Sequence, residues 1–221
     1  MMISPESFYK WELQYKTEKE ILRVIVGLKK EIIRLKDVME HPEYGCECIM
    51  HPSEATQLWC TRQYLEKAKQ ALEEVGGTYE LTKAEQKAKE FDESIPFIEK
   101  IVFVLGGFHE GYETKTIRLD ESHFYMDVDH SIILKPSNFY IIPDWPMSKE
   151  EFLTGLKELH IGEWRRKYTL DRFGERVCDG TQWELEIYYS NGQKPVRICG
   201  DNAYPYNFDE LKNLFCMGEG E

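Results

Sequence analysis

"DGTQWELEIYYSNGQKPVRICG" occupies residues 179–200. Asn191-Gly192 at its centre is a strong hairpin signal, because both residues tolerate the positive φ of a tight turn. Folding the chain back there sets Leu185 against Ile198, Ile187 against Val196 and Glu186 against Arg197. Apolar side chains meet on one face and opposite charges on the other, so the register is self-consistent. Trp183 joins Leu185 and Ile187 on the apolar face, and Glu184 meets Cys199. Pro195 falls opposite Tyr188, where the ladder needs an N–H that proline lacks. A longer loop or a bulge around Ser190–Lys194 is therefore expected. The same register separates Cys178 from Cys199 and excludes a disulfide between them.

Other strands precede this hairpin. Ile98 to Leu105 is β-branched and aromatic, and Gly106-Gly107 and Gly111 bracket a turn after it. Tyr112 to Leu119 alternates, with Thr114, Thr116 and Arg118 on one face and Ile117 and Leu119 on the other. Phe124, Met126 and Val128 alternate with Tyr125, Asp127 and Asp129, completing an antiparallel meander. Phe139–Ile142 is a candidate fourth strand. Ser148-Lys149-Glu150-Glu151 is a capping box, in which hydroxyl and carboxylate each satisfy a free backbone N–H. It opens a helix with Phe152, Leu153, Leu156 and Leu159, expected to run to Trp164 or Tyr168 although Gly162 weakens it. Asn207 caps a short last helix through Phe215.

Residues 1–95 have a helical period instead. Ser4-Pro5 starts a short helix with Phe8 and Trp11. Thr17-Glu18-Lys19-Glu20 is a capping box, and Ile21, Ile25, Leu28, Ile32, Leu35 and Met39 follow along one stripe. Pro42 and Gly45 stop that helix. Pro52-Ser53 starts another, with Leu58, Leu65, Leu72, Ala68 and Val75 as its seam and Gly76-Gly77 as its end. Two seams of matching length with a short connection predict an antiparallel helical hairpin, with helices near 17–40 and 53–75. A parallel homodimer through the first seam is the alternative. Thr82-Lys83-Ala84-Glu85 opens a further, charged helix reaching Phe91. The expected architecture is α+β: an N-terminal antiparallel helical hairpin with accessory helices (1–95), then an α+β domain with an antiparallel sheet (96–221).

Composition limits the function. The 221 residues are 42% apolar, enough for a packed core and too many for disorder. Net charge is −12 and the pI near 5.1. That surface repels a phosphate backbone, whose binding depends on Lys and Arg displacing counterions, so nucleic acid is not the expected partner. The best basic patch, Arg165-Arg166-Lys167, is short. No apolar run spans a membrane and the start lacks a signal-peptide pattern, so a cytoplasmic protein with reduced thiols is expected.

Several clusters carry candidate chemistry. His41, Cys46, Cys48 and His51 lie in "HPEYGCECIMHP", residues 41–52, at the tip of the helical hairpin. Their types suit tetrahedral zinc, but one residue between the cysteines is tighter than the usual two to four. Cys60 is a substitute ligand. A polar turn with incidental thiols is the plainer reading, so no cofactor is expected and zinc is the exception to test. Asp127 and Asp129 share a strand face and could hold a divalent cation, although a solvated face of an edge strand is the plainer reading. "GGFHEGYE", residues 106–113, has glycines but no following Gly-Lys-Ser/Thr, so it reads as a hairpin turn. Around "GDNAYPYNFDEL", residues 200–211, Trp183, Asp201, Asn202, Tyr204 and Asn207 could line a ligand groove. A structured turn into a helix cap competes with that reading. No nucleophile elbow, zincin helix or paired CxxC is present.

Gly106-Gly107-Phe108 with Gly111-Tyr112-Glu113-Thr114, Asp179-Gly180-Thr181-Gln182-Trp183-Glu184-Leu185, and Asn202-Ala203-Tyr204-Pro205 with Asn207-Phe208 form a pattern. So does His160-Ile161-Gly162-Glu163-Trp164. The pattern resembles one in a family of uncharacterised bacterial proteins, over roughly residues 97–215. The resemblance implies a shared α+β domain and carries no catalytic residue. The function expected from these residues is a non-enzymatic, cytoplasmic protein-binding or scaffold protein. A basic protein partner, of the kind an antitoxin or immunity protein neutralises, fits the acidity. A metal-dependent enzyme and a small-ligand sensor with its site in the α+β domain are the alternatives.

Overall fold

A computed structural model of the chain describes residues 3–45, 51–107, 109, 111–119, 124–131, 140–141, 147–175, 177 and 179–217. The fold is α+β, with two compact units, Met1–Leu81 and Thr82–Glu221.

In the first unit Ser4 Oγ accepts the Ser7 N–H and opens α1 (Pro5–Phe8), which continues as a π-helical turn over Tyr9–Leu13. The Thr17–Glu20 capping box then starts α2 (Glu18–Met39), with the Thr17 N–H donating to Glu20 Oε2 at 2.9 Å. Ser53 caps α3 (Glu54–Glu74). The helices run antiparallel: Tyr44, beyond the end of α2, donates to Glu54, and Gly77, beyond α3, lies against Glu18. Ile21, Ile25, Leu65, Ala68 and Leu72 form the seam, and Phe8 stacks on Tyr64 with ring centroids 4.3 Å apart.

The second unit begins with α4 (Lys83–Ser94), so the boundary lies at 81/82 instead of near 95. The physical reason is that Phe91 and Ile95 are buried in the core of the sheet. The strands are β1 (Ile98–Gly107), β2 (Gly111–Leu119), β3 (Phe124–Ser131), β4 (Tyr140–Ile141), β5 (Lys167–Thr169), β6 (Thr181–Tyr189) and β7 (Val196–Asp201). They form one sheet in the order β4-β3-β2-β1-β6-β7-β5, antiparallel except for the β5–β7 pair. The hairpin register holds residue for residue, from Gln182 opposite Asp201 to Ile187 opposite Val196. Pro195 stays outside the ladder because the loop is longer than a two-residue turn. There the Gln193 N–H donates to Asn191 Oδ1 at 3.1 Å.

Two more helices, α5 (Lys149–Glu158) and α6 (Phe208–Leu214), join α4 on one face of the sheet. Phe152 on α5 packs against Phe124 and Phe215, and Phe208 on α6 against Phe103 and Trp183. The expected run of α5 to Trp164 or Tyr168 does not form. Its end is set by His160, which turns left-handed at φ 50°. A 3-10 turn, Ile161–Glu163, follows, and Gly162 packs so close to α4 that an added Cβ would lie 2.7 Å from Ala88 Cα. Strand β5, three residues long, has no period to betray it; Tyr168 packs on Trp183 and holds it in place.

The opposite, outer face carries no helix of this unit among the described residues. A lysine is buried on the inner face. Lys115, 4% exposed, sits beside Phe103 on the next strand and donates to the carbonyls of Phe215 (2.9 Å) and Cys216 (2.8 Å). Glu113 accepts its third proton at 3.0 Å. Lys115→Met keeps the volume but strands the buried Phe215 carbonyl and the half-buried Cys216 carbonyl, a loss of about 3 kcal/mol. Faster hydrogen exchange of the β1 and β2 amides in the variant is the expected readout, with the α2 and α3 amides unchanged.

Candidate functional site

The hairpin tip keeps its two histidines among the described residues. His41 Nδ1 accepts the Glu43 N–H at 3.2 Å. Cys46 and Cys48 lie outside the described residues, so the proposed four-ligand set is described only at His41 and His51. Among the described residues no three His, Cys, Asp or Glu side chains gather as a metal site. Asp127 lies 3.7 Å from the Arg118 guanidinium, while Asp129 keeps a buried oxygen, Oδ1, without a donor.

The five residues expected around a ligand groove have separate structural tasks. Trp183 is buried on the inner face, and its indole N–H donates to the Ala203 carbonyl at 2.9 Å. Gly200 lies directly opposite Trp183, and a Cβ there would fall 2.1 Å from Trp183 Nε1. Asn202, at φ 50°, accepts the Thr181 N–H at 2.9 Å and donates to Asp201 at 2.8 Å. Tyr204 packs on Phe208, their centroids 4.7 Å apart. Asn207 donates to the Leu159 carbonyl at 2.8 Å, and its Oδ1 is buried without a partner. "GDNAYPYNF" is thus the corner that docks β7 onto α6.

Two of the five, Trp183 and Asp201, line a groove of about 270 Å³ on the sheet. Val104, Tyr112, Gln182, Glu184 and Cys199 supply its outer-face wall, and Lys167 on β5 its edge. Tyr112 donates to Gln182 across the β1 strand at 2.8 Å. The outer face continues from this groove with an orderly pairing of charge. Arg197 meets Glu186 at 2.8 Å, Arg118 meets Asp127, and Lys100 lies over the Tyr188 ring at 4.0 Å. Tyr188 also hydrogen-bonds Glu186, which raises the tyrosine hydroxyl above its ordinary pKa. Asp129, Glu184 and Asp201 have no ion-pair partner among the described residues.

A second cleft, of about 160 Å³, opens beside α4. Lys87, Glu90, Phe91 and Ser94 recur at helical spacing and give it one wall. Ile161, Gly162, Trp164 and Arg166 form the opposite wall, and Tyr189, Lys194 and Val196 close the end. Burial first, and then the charge of Arg166, holds Lys87 below the ordinary lysine pKa. Burial likewise pushes the Tyr189 hydroxyl up, against a hydrogen bond to Ser94 and the Arg166 charge. Glu90 accepts from Gln86 at 3.0 Å. The indole N–H of Trp164, itself 3% exposed, has no acceptor.

Sequence reasoning missed this cleft because its cations come from three separate segments. The signal present was Arg165-Arg166-Lys167. Strand alternation at β5 splits that triplet, sending Lys167 to the outer groove and Arg166 to the α4 cleft. A continuous basic patch does not survive the fold.

Comparison with protein-family models, with curated proteins and with solved structures finds no match to this chain.

The tightest contact under the outer groove is also its simplest test. Gly200→Ala should push the Trp183 indole off the Ala203 carbonyl and cost about 1–3 kcal/mol. A red shift in tryptophan emission, with a lower urea midpoint, is the expected observation.

Proposed function

We propose that the chain is a non-enzymatic protein-binding module whose outer sheet face receives a basic segment of a partner. The observation that supports this is the imbalance of charge on that face. Its arginines are already committed to Glu186 and Asp127, while Glu184 and Asp201 stand exposed without a counter-ion and Asp129 keeps an orphaned oxygen. Lys167 is the one cation near them that has no such commitment among the described residues lining the groove.

A cationic side chain entering the groove finds Glu184 and Asp201 on its walls and the apolar Val104 below them. Aromatic rings at Tyr112, Tyr125 and Tyr188 offer further contact for lysine or arginine stems. The net charge of −12 adds long-range attraction for a basic partner and speeds encounter.

Capture from native lysate, at low and at moderate salt, tests this reading when two charge-matched variants are run beside the parent. Glu184→Lys/Asp201→Lys reverses the face, and Glu158→Lys/Glu210→Lys makes the same change on α5 and α6. The expected result is a basic protein, retained by the parent and by the helix variant and lost by the face variant, with retention falling as salt rises. Equal capture by both variants, capture of acidic proteins alone, or no capture would overturn it.

A further inference from the structure

The α4 cleft has the opposite electrostatic character from the rest of the chain. Lys87, Arg166 and Lys194 converge on one opening in a protein of net charge −12. None of the three has an ion-pair partner among the described residues, although carboxylates outnumber basic side chains in the sequence. Lys87 and Arg166 are close enough for each to feel the other's charge. Like charges held together without a counter-ion raise the free energy of the fold, and a bound anion removes that cost.

The opening also has a neutral donor. Trp164 lies on the wall with a buried indole N–H that lacks an acceptor, which is unusual for a buried polar atom. An indole N–H can only donate, so whatever satisfies it must bring an acceptor. Tyr189 and Ser94 meet at the same end, where the Ser94 hydroxyl donates to the Phe91 carbonyl at 2.7 Å. Glu90 is the one carboxylate on the lining, and it is engaged by Gln86. Its charge still leaves the opening with an excess of two positive charges.

Size narrows the ligand. A cleft of about 160 Å³ that opens to solvent has room for one tetrahedral oxyanion with a few attached atoms. A guanidinium fork on one wall and ammonium groups opposite suit oxygens spread over a tetrahedron better than the two oxygens of one carboxylate.

We propose that the cleft between α4 and the Ile161–Arg166 segment is a binding site for a small phosphate-type dianion, free or as a compact monoester. Arg166 grips the anion from one wall, Lys87 and Lys194 neutralise it from the others, and the Trp164 N–H at the wall donates to it. This site is separate from the outer face, so its test is independent of the partner proposed above.

The experiment titrates the full chain with inorganic phosphate and follows both the binding heat and the tryptophan indole N–H resonances. The chain holds five tryptophans, and Trp164→Phe assigns the relevant peak by its loss. The expected result is saturable binding with a downfield shift of the Trp164 resonance. Lys87→Gln/Arg166→Gln should weaken that binding about tenfold or more, whereas Lys157→Gln, on the exposed side of α5, should leave it unchanged. The Lys87, Arg166 and Lys157 side chains are exposed, and a circular-dichroism melt like that of the parent shows that the variants, Trp164→Phe included, fold. Four outcomes would each overturn the assignment. They are no saturable binding, the same shift in sodium chloride at matched ionic strength, binding unaltered in the double variant, and acetate binding as tightly as phosphate.

Discussion

Lys115 holds the second unit together in the orientation that the rest of its structure needs. It occupies a position on the inner face of β2 between Phe103, Val128 and Ile117, and it pays for that place with three charge-assisted hydrogen bonds, one of them to Glu113 on the same face. Two of them go to the carbonyls just beyond α6, which have no helical N–H to accept from and carry the negative end of the helix dipole. A lysine tethered there fixes where α6 ends. It thereby places Phe215 against Phe103 and Phe152, and Phe208 against Trp183. The aromatic layer locked in this way joins α5, α6 and the sheet on one side.

That one-sidedness produces both candidate surfaces. With the helices on the inner side, the outer side of β1, β2, β3, β6 and β7 keeps its alternating polar residues and the shallow groove among them. On the inner side the helical layer ends at α4, where Gly162 lets the 3-10 turn press against Ala88. The α4 cleft is the space left beside this contact.

The legibility of these features in the sequence follows their range along the chain. The 181–201 hairpin was readable because both strands and their turn are contiguous, and because a one-residue slip would turn every apolar side chain outward. Capping boxes at Thr17, Thr82 and Ser148 were readable because each is satisfied within four residues. The N-terminal helical hairpin was readable from its two seams. Other features depend on distant partners. Phe91 and Ile95 assign α4 to the sheet, Tyr168 brings β5 beside β7, and a left-handed His160 ends α5 early. Lys115 broke the alternation of β2 in plain view, but its carbonyl partners lie a hundred residues away. The groove residues were ambiguous for a related reason. Trp183, Asn202 and Asn207 have polar atoms that suit a ligand equally well, and the fold turns nearly all of them onto its own backbone.

An overall charge of −12 does not argue against a cationic cleft. At physiological ionic strength, exposed charges more than about 8 Å apart are largely screened from one another. A ligand at Arg166 therefore responds to the side chains lining the cleft, and to the chain's total charge only weakly. The same screening explains how an acidic outer face and a basic α4 cleft coexist on one unit without cancelling. Long-range charge sets which molecules approach; the local arrangement sets which remain. A basic protein drawn to the outer face and a small anion held beside α4 are thus compatible occupants, since each is selected by charges within a few ångströms of its own contact.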